Sequence, residues 1–212
     1  MIFNDKFERK AVEDEVSGIA LLDNEIFVPK FKGEVRDKII FVEDGEYEVM
    51  PNLVIQAKAG DIYELPVSHN LVVDSCSKLI AALMKGESGY AGIKYWEVGT
   101  GQSSWSDSNP PSPSSSDTGL NNPLFRKQIQ PSDIIFIDAN SNPAPAGTVT
   151  NRLQVTVTFG ANEANGYLRE FGLFGGNATS TLGSGIMVNR KTHGVIYKTS
   201  GMSLQRTLRL TF

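Results

Sequence analysis

Apolar and polar residues alternate most strictly over residues 152–159, RLQVTVTF. Leu153, Val155, Val157 and Phe159 fall on one side, and Arg152, Gln154, Thr156 and Thr158 on the other. Successive side chains of a strand point to opposite faces, so this pattern predicts a half-buried strand with one wet side. The last residues, SLQRTLRLTF, repeat the pattern: Leu204, Leu208, Leu210 and Phe212 share a face broken only by Arg206. A strand with Phe212 on its apolar side predicts a terminus pinned in a sheet. IKYWEV (93–98), LFRKQI (124–129) and IIFI (134–137) read as further strands.

Upstream, IIFVEDGEYEVM places two β-rich runs around Asp44-Gly45, a dipeptide suited to a two-residue turn, and predicts a hairpin over about 38–50. Leu53–Ala57 and Ile62–Leu65 continue as short strands, separated at Ala59-Gly60-Asp61 and ended by Pro66. One helix is predicted, over about 74–85. Asp74 or Ser75 can cap it, Leu79, Ile80, Leu83 and Met84 recur at helical spacing, and Gly86 stops it. Short strands with a single helix give a mainly-β class, an antiparallel β-sandwich or open barrel.

Two regions depart from this pattern. Residues 1–38 are polar and acid-rich and read as an extended N-terminal arm, so that residues 1–66 form an arm with a hairpin and 67–212 the main domain. Residues 102–119 are built from Ser, Pro, Asn and Asp, with Trp105 the one large apolar group. That composition forms no core and predicts an exposed, disordered-type loop.

Charge sharpens the division. Residues 1–64 carry 15 acids and 8 bases, whereas no acid follows Glu170 and Arg190, Lys191, Lys198, Arg206 and Arg209 do. These bases, with Trp105, are candidates for an interaction surface facing an acidic neighbour. The net charge of −4 argues against a general nucleic-acid binder. No run reaches the roughly 18 apolar residues of a membrane span, and acids stand where a secretory leader would be apolar.

Convergent chemistry is sparse. His69 and His193 lie far apart, the single Cys76 excludes a disulfide framework, and Gly99-Thr100-Gly101 lacks the Gly-Lys-Ser/Thr of a phosphate loop. Glu43, Asp44, Glu46 and Glu48 supply carboxylates but read as solvated acids of a hairpin. The segment 160–174, GANEANGYLREFGLFG, is the exception, because Arg169-Glu170 interrupts an otherwise apolar strand. A charged pair there is costly unless each partner is hydrogen-bonded, which leaves a surface pair at a sheet edge or a fixed polar link setting register.

Read with its surroundings, this segment resembles the tail-collar fibre-like structural proteins of phage tails and contractile injection systems. The resemblance covers about residues 68–212. It rests on Asn70-Leu71-Val72-Val73, Tyr95-Trp96-Glu97-Val98-Gly99-Thr100-Gly101, Arg126-Lys127, residues 159–174, Met187-Val188-Asn189-Arg190 and Lys198-Thr199. It implies a non-enzymatic subunit of a baseplate, collar or fibre attachment, without cofactor or metal. Such a subunit would be assembled in the bacterial cytoplasm with copies of itself and other tail or baseplate proteins. Glu163, Asn165, Gly166, Arg169, Glu170, Phe171 and Phe174 would be its assembly or fold motif. Two alternatives remain: a carbohydrate-binding module of a tail fibre using Trp105, and, more weakly supported, a surface-polymer hydrolase.

Overall fold

The structure is a computed structural model that describes residues 32–212; the arm before Lys32 lies outside the described residues. The chain forms strands β1 (Lys32–Phe41), β2 (Gly45–Met50), β3 (Leu53–Ala57), β4 (Ile62–Glu64) and β5 (Ser68–Val72), then helix α1 (Ser75–Lys85). There follow β6 (Ala91–Gly99), β7 (Pro123–Gln128), β8 (Ile134–Phe136), β9 (Arg152–Phe159), β10 (Gly166–Gly176), β11 (Ile186–Lys198) and β12 (Met202–Thr211). Among the described residues the expected mainly-β class with one helix is what forms.

The large sheet is antiparallel and runs β7-β6-β10-β11-β5-β1-β12-β9-β8, with β4 added beside β1. Nine strands at the usual spacing would hold the outer two about 38 Å apart if flat. Yet β7 and β8, at opposite ends of the path, are joined only through residues 129–133, with a single 3-10 turn at Pro131–Asp133. Such a link reaches at most about 23 Å. The sheet therefore curls, and the result is a half-barrel. Its concave side collects the core: Val35, Ile39, Trp96, Val98, Val155, Phe159, Leu168, Phe171, Leu204 and Leu208 are all buried. The alternation read from β9 and β12 is reproduced, with Val155, Val157 and Phe159 inside and Met202, Leu204, Leu208 and Leu210 beside them.

Helix α1 ends as predicted, with Gly86 at φ 69° donating to Leu83 O. At the other end Asp74 makes no side-chain cap. Cys76 and Leu79 carry the buried face, while Leu83 and Met84 stand exposed. Burial pushes the Cys76 thiol up to about 11.

The hairpin expected around Asp44-Gly45 is replaced by different pairings. Strand β2 pairs β3 in a separate two-stranded ribbon that turns at Pro51-Asn52, with Asn52 at φ 63°. Strand β1 instead pairs β12 along its whole length, from Lys32 opposite Thr211 to Phe41 opposite Met202. Alternating residues of both strands are apolar, so this register buries Val35, Ile39 and Phe41 on the same face as Leu204, Leu208 and Leu210. Asp44-Gly45 becomes a corner between sheets, and the Asp44 carboxylate accepts from Ala59 N at 2.8 Å. Residues 32–38, read as part of an arm, are thus the start of an internal strand.

The Ser/Pro segment 102–119 has no regular secondary structure, as its composition implies, but it does not stand clear of the sheet. Val195 N donates to Asp107 O at 2.7 Å, Thr192 Oγ1 to Pro111 O at 2.7 Å, and Asp74 N to Ser115 O at 2.8 Å. Trp105 lies half-buried over Gly101, whose φ is +63°. A Cβ at Gly101 would sit 2.4 Å from the indole, so glycine is needed there for both conformation and room.

Candidate functional site

Arg169 and Glu170 are consecutive on β10, where the pairing with β11 is irregular between Leu168 and Glu170. They do not pair with each other. Glu170 is fully buried. Its Oε1 accepts from Asn122 N at 2.8 Å, and its Oε2 accepts from Asn121 N at 3.1 Å and from Arg190 Nη2 at 2.6 Å. Arg190, on β11, also pairs Asp117 at 2.8 Å and donates to Asn121 Oδ1. One carboxylate thus satisfies two backbone donors and a guanidinium, and fastens the end of the Ser/Pro loop to the sheet. Arg169 holds Asp107 nearer the start of that loop and donates to Thr100 O at 3.3 Å.

A second buried pair joins β6 to β7. Arg126 Nη1 meets Glu97 Oε2 at 2.9 Å, with side-chain exposures of 1% and 0%. The same guanidinium donates to Thr181 O at 2.8 Å and Ser184 O at 2.6 Å, and Gly183 N donates to Glu97 at 2.8 Å. The guanidinium also lies over Tyr95 and Phe174, 4.8 and 4.6 Å from the ring centres. This pair fixes the loop between β10 and β11. Burial pushes the Glu97 carboxyl up against the opposing pull of Gly183 N–H and Arg126, and burial lowers Arg126.

The third cluster explains the break in the apolar face of β12. Arg206 is fully buried, 4.6 Å above the Phe171 ring and 3.1 Å from the Asp37 carboxylate of β1. Burial raises Asp37 and lowers Arg206, each opposed by the charge of the other. Arg206 Nη2 donates to His193 Nε2 at 2.9 Å, and His193 Nδ1 lies 2.7 Å from Gly194 O. A carbonyl only accepts and a guanidinium only donates, so the ring is neutral with its proton on Nδ1. Burial, and then the Arg206 charge, hold the His193 pKa well below its ordinary value.

The unfolded chain takes a proton on His193 near pH 6.5 while the folded chain does not, so the unfolded state binds more protons below that pH. Stability is therefore lost as pH falls from about 6.5, by up to about 1.4 kcal/mol per pH unit. Urea midpoints at pH 7.5, 6.0 and 5.0 are expected to fall for the wild type and to flatten for His193→Gln over the same interval.

The turn of residues 160–165 is held by a lysine. Lys198 Nζ donates to Gly160 O and Asn165 Oδ1, both at 2.9 Å, and to Met202 O at 3.0 Å. Burial lowers it to about 8. Glu163 accepts from Gly160 N at 2.9 Å and pairs Lys127.

The motif residues expected from sequence accordingly divide by task. Glu170 and Arg169 fasten the loop of residues 102–122, Phe171 lies in the core beneath Arg206, Phe174 covers Arg126, and Glu163, Asn165 and Gly166 shape the turn into β10. Of the bases expected at an interaction surface, Arg190 and Arg206 are instead enclosed, because their acidic partners Glu170, Asp117 and Asp37 lie in the same chain. Arg209 is half-buried and bonded to Gln154 at 2.9 Å and Glu34 at 3.4 Å. Lys191 remains half-exposed, its pKa lowered by burial. Sequence reasoning missed the Glu97–Arg126 pair, although an acid inside the apolar run YWEV carries the same signal as Glu170 in β10. Among the described residues no group of three or more His, Cys, Asp or Glu is placed to hold a metal ion, and no helix is long and apolar enough to cross a membrane.

No protein-family model and no curated protein matches this chain. What the arrangement does chemically is read from its own geometry: each of three buried acid–base clusters ties a strand of the curled sheet to a partner strand or to a loop outside it, and a buried lysine fixes a fourth segment.

Proposed function

We propose that this chain is a non-enzymatic structural subunit of a phage-type tail or contractile injection system, placed at a baseplate, collar or fibre attachment. In this reading it works by assembling with copies of itself and with other tail or baseplate proteins. The observation that carries the reading is that the charged residues of the most distinctive segment, 160–174, are used inside the fold. Glu170, Arg169 and Glu163 brace the segments 102–122 and 160–165, so the motif builds rigid presentation of loops. Rigid loops lower the ordering cost that association otherwise incurs. Among the described residues the half-barrel also leaves β7 as a terminal strand of its path, whereas Ala144 N already donates to Phe136 O of β8 at 2.9 Å; an unpaired strand edge is a ready template for a neighbouring chain.

Electron microscopy of particles purified from cells expressing the tagged full chain tests this. Label at a fixed position on tails or injection particles supports the reading. Particles without label, with the tagged chain remaining free in the soluble fraction, overturn it.

A further inference from the structure

A cleft of about 470 Å³ opens on the face of the sheet opposite the core, where β10, β11, the β2–β3 ribbon and the Ser/Pro loop converge. Tyr167 and Tyr197 form its wall, edge to face with ring centres 5.0 Å apart at 78°. Tyr167 is 60% exposed, an unusual cost for a large ring on a strand that otherwise buries its apolar residues. Around the rings stand Glu46, Glu48 and Asp107, against one base, Arg169, which Asp107 already engages. The Glu46 carboxylate takes the Gln56 amide, and Glu48 makes no hydrogen bond or ion pair among the described residues. The cleft is therefore left with uncompensated negative charge. Two ring faces, themselves negative at their centres, lie beside it.

We infer that this cleft is a docking site for a basic segment of a partner protein, which inserts an arginine or lysine side chain between the tyrosine pair and the Glu46 and Glu48 carboxylates. An aromatic wall beside carboxylates that lack a cationic partner is complementary to an organic cation, which gains cation–π attraction and charge-assisted hydrogen bonds together. The field at the site agrees with this: the Tyr197 hydroxyl is pushed up by burial and then by the Asp107 and Glu48 charges. The site is separate from the buried ion pairs and does not depend on the particle in which the chain works.

The test uses the full chain and four probes at low salt: a short capped peptide with two arginines, the same peptide with glutamines, free arginine, and a neutral oligosaccharide. Calorimetry is expected to show saturable binding of the arginine peptide, at least tenfold weaker binding of free arginine, and none of the glutamine peptide or the sugar. Glu48→Gln and Tyr167→Leu should each weaken the peptide about tenfold, whereas Tyr167→Phe keeps the ring and should retain it. Both positions are solvent-facing, and an unchanged circular dichroism spectrum verifies folding. Glu87→Gln, at a half-exposed acid after α1 that pairs Lys85 away from the cleft, serves as the charge control. Equal weakening by Glu87→Gln, free arginine binding as tightly as the peptide, binding of the oligosaccharide in place of the peptide, or no peptide binding would each overturn the inference.

Discussion

Replacing Glu170 with alanine is expected to lower the unfolding free energy by about 3–5 kcal/mol, the range for removing one partner of a buried ion pair. The loss should lie toward the upper end because the carboxylate also accepts from Asn121 N and Asn122 N, which alanine leaves without that acceptor. Arg190→Met should cost less. It leaves Glu170 with both backbone donors, whereas in Glu170→Ala the guanidinium keeps Asp117 as its only ion-pair partner. Urea denaturation ranks the two variants. Hydrogen exchange separates local from global effects: the amides of residues 117–122 should lose protection in Glu170→Ala before those of β9 and β12, since the carboxylate is what ties that segment down. Equal midpoints for wild type and Glu170→Ala would show that the pair does not hold the loop.

How much of this was readable beforehand depends on whether the controlling contact is local. Strand β9 was legible residue by residue because its period of two is set by its own two faces. The stop of α1 at Gly86 was legible because a left-handed residue satisfies the last carbonyls locally. Asp44-Gly45 misled for the opposite reason. Its turn preference is real, but β1 has a longer apolar face to bury against β12, more than 160 positions away, and nothing in a local window shows that partner. The cost of Arg169-Glu170 shows that the pair needs partners, yet these are Asp107 in a segment whose composition shows only that it forms no core, the backbone of Asn121 and Asn122, and Arg190 on β11, none of them near in sequence. The C-terminal bases looked like a surface because no acid follows Glu170. Their acids, Asp37, Asp117 and Glu170 itself, all precede them in the chain and reach them through long-range pairing, with Asp37 opposite Arg206 and β10 beside β11, and through the fold of the Ser/Pro segment.

Arg206 shows best how such a buried base can be tested. Arg206→Met removes the ion-pair partner of Asp37 and the donor to His193 Nε2 in one step, and is expected to cost about 3–5 kcal/mol. For a domain of this size that corresponds to a melting temperature lower by roughly 10 °C. Asp37→Leu combined with Arg206→Met takes away both charges and should recover most of the loss, because apolar side chains of similar volume often serve a core as well as an ion pair. The single variant should also change its pH response. Burial already raises the Asp37 carboxyl, and without the guanidinium it rises further, so the folded state holds a proton that the unfolded state has given up. A folded pKa above the unfolded value contributes stability at low pH that is lost as pH rises through it. The gap between wild type and Arg206→Met should therefore narrow as pH falls from 7 toward about 4, near the ordinary aspartate value. Relief of the Arg206 charge beside His193 acts in the same direction, since it lets the ring protonate at less cost. A gap that stays constant over that interval would mean that Asp37 is held ionised by something other than Arg206.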